Sequence, residues 1–76
     1  MIEVRLFGGL QLLTASGRSR FTAPYREGIT VSDIMSEEQL SPDVVGVIFV
    51  NGRHASADTL LNDEDRLSFF TPAGGG

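Results

Sequence analysis

Few side chains in this 76-residue sequence can do covalent or metal chemistry. There is no cysteine, which removes disulfides, thiolate metal sites and a thiol nucleophile together and suits a reducing compartment. His54 is the lone histidine; with no second imidazole or thiolate to share a metal, it reads as a solvent-facing residue after a turn. Asp63, Glu64 and Asp65 lack the spacing of a calcium loop and read as a solvated acidic turn. Gly8-Gly9 is not followed by the Gly-Lys-Ser/Thr of a phosphate loop, so it reads as a turn. No Ser/His/Asp or acid–base set emerges, and the chain by itself is not expected to be an enzyme. What remains is Gly74-Gly75-Gly76. At an average glycine usage of about 7%, three specified positions are all glycine roughly once in a few thousand chains. Without Cβ atoms such a tail adopts almost any φ/ψ and threads a channel too narrow for side chains. Residues 73–76 have almost nothing to bury and are expected to be an extended, flexible tail beyond a folded domain of residues 1–72. The group that this tail would present is the Gly76 carboxylate.

The elements that would hold such a tail are legible in the spacing. Ile2, Val4 and Leu6 alternate with Glu3, Arg5 and Phe7, the period of a half-buried strand. Leu10 to Ala15 is either a strand or a loop, and Ser16-Gly17-Arg18-Ser19 marks a turn. Phe21, Ala23 and Tyr25 alternate up to and beyond Pro24, which points to an edge strand over Arg20 to Arg26. Thr30 is an N-cap with Asp33 three residues on, and Ile29 and Ile34 have the spacing of a hydrophobic staple. Val31, Ile34 and Met35 share a helical face, and Pro42 predicts a stop near Leu40, giving a helix of about ten residues. Val44 to Val50 is apolar on both faces, as a central strand is. Asn51-Gly52 predicts a tight hairpin, with Arg53 to Ser56 returning antiparallel. Arg66 to Phe70 is the last strand, ended by Thr71-Pro72. A single helix covers one face of a single sheet, so the expected class is a two-layer α+β domain with four to five strands.

Composition narrows the function classes. An apolar share of 41% with 21% charged residues fits a folded globule. No apolar run approaches the roughly 20 residues of a membrane span, and Met1 to Arg5 does not resemble a signal peptide, so the expected location is the cytoplasm, with no membrane partner. The net charge of −4 argues against nucleic acid and suits a partner with a basic docking face. All six basic residues are arginines; lysine is absent.

Val50-Asn51 at the hairpin, the run Leu61-Asn62-Asp63-Glu64-Asp65-Arg66-Leu67, and the close Phe69-Phe70-Thr71-Pro72-Ala73-Gly74-Gly75-Gly76 together resemble the MoaD/ThiS family of sulfur-carrier proteins. The resemblance is loose over the whole chain and good over residues 47–76. The paired phenylalanines, the proline step and the diglycine end look closer to the molybdopterin-synthase small subunit, MoaD, than to the thiamine carrier ThiS. Four features depart from that pattern: Glu64-Asp65 stands for the usual Gly-Asp, Thr71-Pro72 for Pro-Pro, Gly8-Gly9-Leu10-Gln11 for a segment that often has Arg-Glu, and Gly74 is an extra glycine.

The resemblance implies a ubiquitin-like β-grasp, with the first and last strands central and parallel. It also implies the chemistry: a MoeB/ThiF-type adenylyltransferase, using its own ATP and magnesium, adenylylates Gly76, and a persulfide sulfur donor then displaces AMP to leave a thiocarboxylate. Gly74 and Gly75 would be recognised in that enzyme's channel. A MoaE-type synthase large subunit, or another sulfur-acceptor enzyme, would take the sulfur, with molybdopterin or tungstopterin biosynthesis the leading pathway. Thiamine synthesis, tRNA thiolation and cysteine synthesis use similar carriers, and a ubiquitin-like protein modifier or an inert interaction module would share the fold. In a β-grasp, strand parity turns Phe7 and Phe70 outward on neighbouring strands. With Pro72, these residues would form a partner-docking patch at the base of the tail.

Overall fold

A computed structural model describes residues 1–72; the tail and the expectations for Gly74, Gly75 and Gly76 lie outside the described residues. Five strands form one mixed sheet: β1 (Ile2–Leu6), β2 (Arg20–Ala23), β3 (Val47–Val50), β4 (Arg53–His54) and β5 (Arg66–Phe70), in the order β2-β1-β5-β3-β4. β1 and β5 run parallel, with Val4 opposite Leu67 and Leu6 opposite Phe69. The other neighbours are antiparallel. The helix α1 (Val31–Glu37) covers one face, completing the two-layer α+β arrangement of a ubiquitin-like β-grasp. The alternation in β1 and β5 decides which side chains meet the helix. Ile2, Val4, Leu67 and Phe69 are at most 1% exposed and join Val31, Ile34 and Met35 in one core. Burying each such side chain contributes about 1.5–3 kcal/mol.

The start of α1 forms as its spacing dictates. Thr30 Oγ1 accepts from the Asp33 amide at 3.3 Å, and the Asp33 carboxylate accepts from the Thr30 amide at 2.9 Å, a reciprocal capping box. The amides of Val31 and Ser32 donate to the carbonyls of Thr59 and Ala57, so the first turn is tied to the segment leading into β5. Ile29 and Ile34, the staple pair, are both buried.

The end of α1 differs from expectation. It stops at Glu37, short of Leu40, because Gln39 turns left-handed at φ 56°. The Leu40 amide then donates to Met35 and the Gln39 amide to Ser36, the two bonds of a Schellman closure, and Leu40 is buried. Pro42 opens a separate 3₁₀ turn, Pro42–Val44.

Three further differences have local causes. Leu10 to Ala15 is not a strand but a loop that opens with the 3₁₀ turn Leu10–Leu13, which buries Leu10 in the core while Leu12 and Leu13 stay exposed. β3 begins at Val47 and lies second from the edge rather than central; its outer neighbour β4 has only two residues, so all four β3 side chains are half-buried. The acidic turn is only partly solvated. Asp65 is buried, accepting from Asn51 Nδ2 at 2.8 Å and from the Asn62 amide at 2.7 Å. The hairpin itself has the expected form, with Asn51 and Gly52 at φ 53° and 80°. β2 is an edge strand, ending at Ala23 before Pro24.

Candidate functional site

β5 is the middle strand, and its exit is gripped from both sides. The Phe7 amide donates to Phe69 at 2.9 Å, and the Gly46 amide donates to Phe70 at 2.8 Å. Past Phe70 the backbone leaves the sheet through a gap lined by two glycines. A Cβ on Gly46 would lie 2.6 Å from the Pro72 nitrogen and 2.8 Å from the Thr71 carbonyl oxygen, and it would overlap Pro72 Cα outright. A Cβ on Gly8, which sits at φ 70°, would run into the Thr71 side chain, 2.9 Å from its Cγ2. The closest atoms at Gly46 are backbone, which cannot swing aside as a side chain can. Thr71 is half-buried in this gap and Pro72 is exposed beyond it.

Strand parity places the aromatic residues beside that exit. Phe7 and Phe70 point away from the helix, and their rings stack with centroids 4.6 Å apart and 6° between planes. Phe7 is 40% exposed. Phe49 on β3 meets Phe70 edge to face at 5.6 Å, and the exposed His54 rests against Phe49 at 4.6 Å. Such pairs stabilise by about 0.5–1.5 kcal/mol beyond their burial. The patch is thus a four-ring cluster, larger than the Phe7–Phe70 pair that parity predicts. Phe49 escaped notice because Val44 to Val50 is apolar on both faces and gives no parity signal. The hairpin held the missing clue: a two-residue turn at Asn51-Gly52 fixes Phe49 opposite His54. Gly8 and Gly46 also bear on the exit, and no local spacing marks Gly46 as a close-approach position.

On the same outer face Glu3 is ringed by arginines. Its carboxylate lies 3.1 Å from Arg20, 3.3 Å from Arg5 and 3.9 Å from Arg66. The Arg5 hydrogen bond, with help from Arg20, holds the Glu3 carboxyl below its ordinary value against a smaller opposing desolvation. Among the described residues no group of three or more His, Cys, Asp or Glu side chains is arranged to hold a metal ion, and no helix is long and apolar enough to cross a membrane.

The family model described as the ThiS family matches residues 4–76, from within β1 to the last glycine. The chain belongs to the ThiS family. This is a family of small sulfur-carrier and ubiquitin-like proteins. Solved structures similar to this ThiS-family chain share its fold nearly end to end. SAMP1 from Haloferax volcanii superposes with a TM-score of 0.72 at 22% identity, over 99% of this chain and 98% of that one. A putative molybdopterin converting factor subunit 1 from Pyrococcus furiosus gives 0.72 at 26% identity, over 95% and 97%. A chain from the complex of subunits 1 and 2 of the Helicobacter pylori molybdopterin-converting factor gives 0.63 at 22% identity, over 99% and 97%. No protein among the curated sequences matches this one significantly.

Proposed function

We propose that this protein is a sulfur carrier whose reacting group is the Gly76 carboxylate. The observation that carries the reading is the exit of β5. The central strand is fixed as far as Phe70, and Thr71 and Pro72 are handed out between Gly8 and Gly46, beside an exposed aromatic stack. A rigid root next to a docking patch is what a short tail needs to reach into another enzyme's active site.

The chemistry belongs to the partner. The Gly76 carboxylate attacks the α-phosphate of ATP held with magnesium by a MoeB/ThiF-type adenylyltransferase, and pyrophosphate leaves. A persulfide sulfur attacks the acyl carbon of the adenylate and AMP leaves. Reduction of the acyl disulfide by a thiol releases the thiocarboxylate. Phe7, Phe70 and Pro72 dock the partner, while Gly74 and Gly75 pass its channel. The acceptor is a pterin on a MoaE-type large subunit, in molybdopterin or tungstopterin synthesis; the likeness to two molybdopterin converting factor subunits supports that choice over thiamine or tRNA thiolation.

A second reading, conjugation through Gly76 to other proteins, is favoured by the likeness to SAMP1, a small archaeal modifier protein. With no lysine in the chain, lysine-linked self-polymers are excluded, but single conjugation is not. Intact mass after incubation with the host's adenylyltransferase, ATP, magnesium and a sulfur donor separates the two. A gain of about 16 Da, sulfur for oxygen, supports the carrier. Adducts on lysines of other proteins support the modifier, and an unchanged mass overturns both.

A further inference from the structure

The outer face of the sheet holds a charge arrangement that the fold does not need. Arg5 on β1 is paired directly across from Arg20 on β2, and Glu3 sits between Thr22 and Arg66 in the neighbouring row. Like charges directly opposite one another destabilise a sheet. The lone carboxylate of Glu3 faces three guanidiniums whose side chains are 44%, 67% and 77% exposed. Each guanidinium has five N–H donors and Glu3 has two oxygens, so most of the donors face water. An open groove lined by Glu3, Arg18, Arg20, Thr22 and Arg66 runs along this edge.

The segregation is against the grain of the whole chain. Three of the six arginines and one of the ten acids sit in this cluster, a local balance of +2, which leaves three arginines and nine acids, −6, elsewhere. The whole-chain charge of −4, which suits a basic partner, therefore averages over a face of the opposite sign, and that face suits an acidic one. The cluster is continuous with the aromatic stack, because Arg5 and Phe7 follow one another on the outer side of β1, as Arg66, Ser68 and Phe70 do on β5.

We infer that the surface docking the activating enzyme is the whole outer sheet face, and that it selects a protein partner bearing carboxylates opposite Arg5, Arg20 and Arg66 next to an apolar pocket for Phe7 and Phe70. The inference rests on the carrier reading for the partner's identity. Arginine forks pair bidentately with carboxylates, and their exposure here leaves them free to do so. A nucleic acid fits less well. Its continuous run of phosphates would extend past the three arginines onto the acidic remainder of the molecule, whereas a protein partner can place its carboxylates opposite the arginines alone.

The test is the association rate with the host's MoeB/ThiF-type adenylyltransferase at low and high salt. Replacing Arg5, Arg20 and Arg66 together by glutamine is expected to slow association about 10-fold at low salt and to flatten its salt dependence. Glu3→Gln is expected to speed it. A triple variant with unchanged rate and salt dependence overturns the inference, as does a Glu3→Gln protein that associates more slowly. If the triple variant does not fold, Arg20→Gln alone, on the edge strand, should slow association about two-fold, and an unchanged rate overturns the inference. Binding of a single-stranded RNA oligonucleotide as tightly as the adenylyltransferase also overturns it. The mass gain on the wild-type protein is read separately. Fast, salt-sensitive association with no mass gain would leave the acidic-partner inference standing while the carrier reading fell.

Discussion

The ring of Phe70 lies flat on that of Phe7, 4.6 Å away, although the two residues are 63 positions apart in sequence. The contact exists because β1 and β5 are parallel neighbours that end at the same level, Leu6 opposite Phe69, with the next residue of each strand turned outward. Through that stack the start of the chain braces the root of its tail. The same contact forms the centre of the exposed patch, so in the proposed carrier role support and docking share one pair of side chains.

Truncating that pair separates the two roles. Phe70→Ala is expected to leave the protein folded, since Phe70 is half-buried and outside the core, at a cost of about 1–2 kcal/mol for the lost ring contacts. Affinity for the adenylyltransferase should fall about 30-fold, the loss of one central aromatic anchor. Calorimetric titration beside a thermal melt checks both; unchanged affinity removes Phe70 from the docking role.

Gly46→Ala tests the exit. The new methyl meets the backbone of Thr71 and Pro72, so the root must shift, at a stability cost of about 1–3 kcal/mol. Adenylylation of Gly76 should slow by more than tenfold, because misplacing a reacting group by about 1 Å costs on the order of 100-fold. Gly52→Ala is the control. Its penalty is left-handed backbone strain at φ 80° instead of overlap, since a Cβ there meets nothing within 4 Å, so it should lower the melting point and leave the adenylylation rate unchanged. Equal losses of rate in both variants would reduce Gly46 to a stability effect.

Asp65 ties the two turns at the far end of β5. Its carboxylate takes Asn51 Nδ2 and the Asn62 amide, while Asn51 Oδ1 accepts the Arg66 amide at 2.9 Å. Asp65→Ala strands two donors and should cost about 2–3 kcal/mol by urea denaturation. In a double-mutant cycle with Asn51→Ala the coupling should exceed about 0.5 kcal/mol. Additive losses would mean the two side chains act independently.

The capping box gives a pH dependence. The Thr30 amide, then the Thr30 hydroxyl and Arg26, hold Asp33 below its ordinary value of 3.8, with desolvation opposing. A folded value lower than the unfolded one means the unfolded chain binds the extra proton. The stabilisation is therefore complete above 3.8 and is lost as pH falls through the depressed folded value. The gap in urea midpoint between the wild type and Asp33→Asn should be constant at neutral pH and should close in acid. A gap that persists at the lowest pH would show that the carboxylate's charge is not what the cap uses.

What the sequence revealed follows from the range of the forces involved. The Thr30–Asp33 cap, the Asn51-Gly52 turn and the outward parity of Phe7 and Phe70 are set by neighbours a few residues away, and period and spacing expose them. The end of α1 was hidden because glutamine, unlike glycine or asparagine, gives no signal for the left-handed position that Gln39 takes. Asp65 was hidden inside a run of acids, its partner Asn51 being 14 positions away. Phe49, Gly46 and the arginine cluster depend on which strands lie side by side, and only the assembled sheet shows that.

The order of the sheet also has a consequence for synthesis. β5 is the last of the five described strands to be translated, yet it lies between the β2–β1 pair and the β3–β4 pair, and its hydrogen bonds alone join them into one sheet. A nascent chain released before residue 66 has two hairpins and no centre, and it lacks half of the Phe7–Phe70 stack. In the proposed carrier role such a fragment offers an activating enzyme neither a folded face nor a root to hold, so only a chain with a completed sheet would be adenylylated.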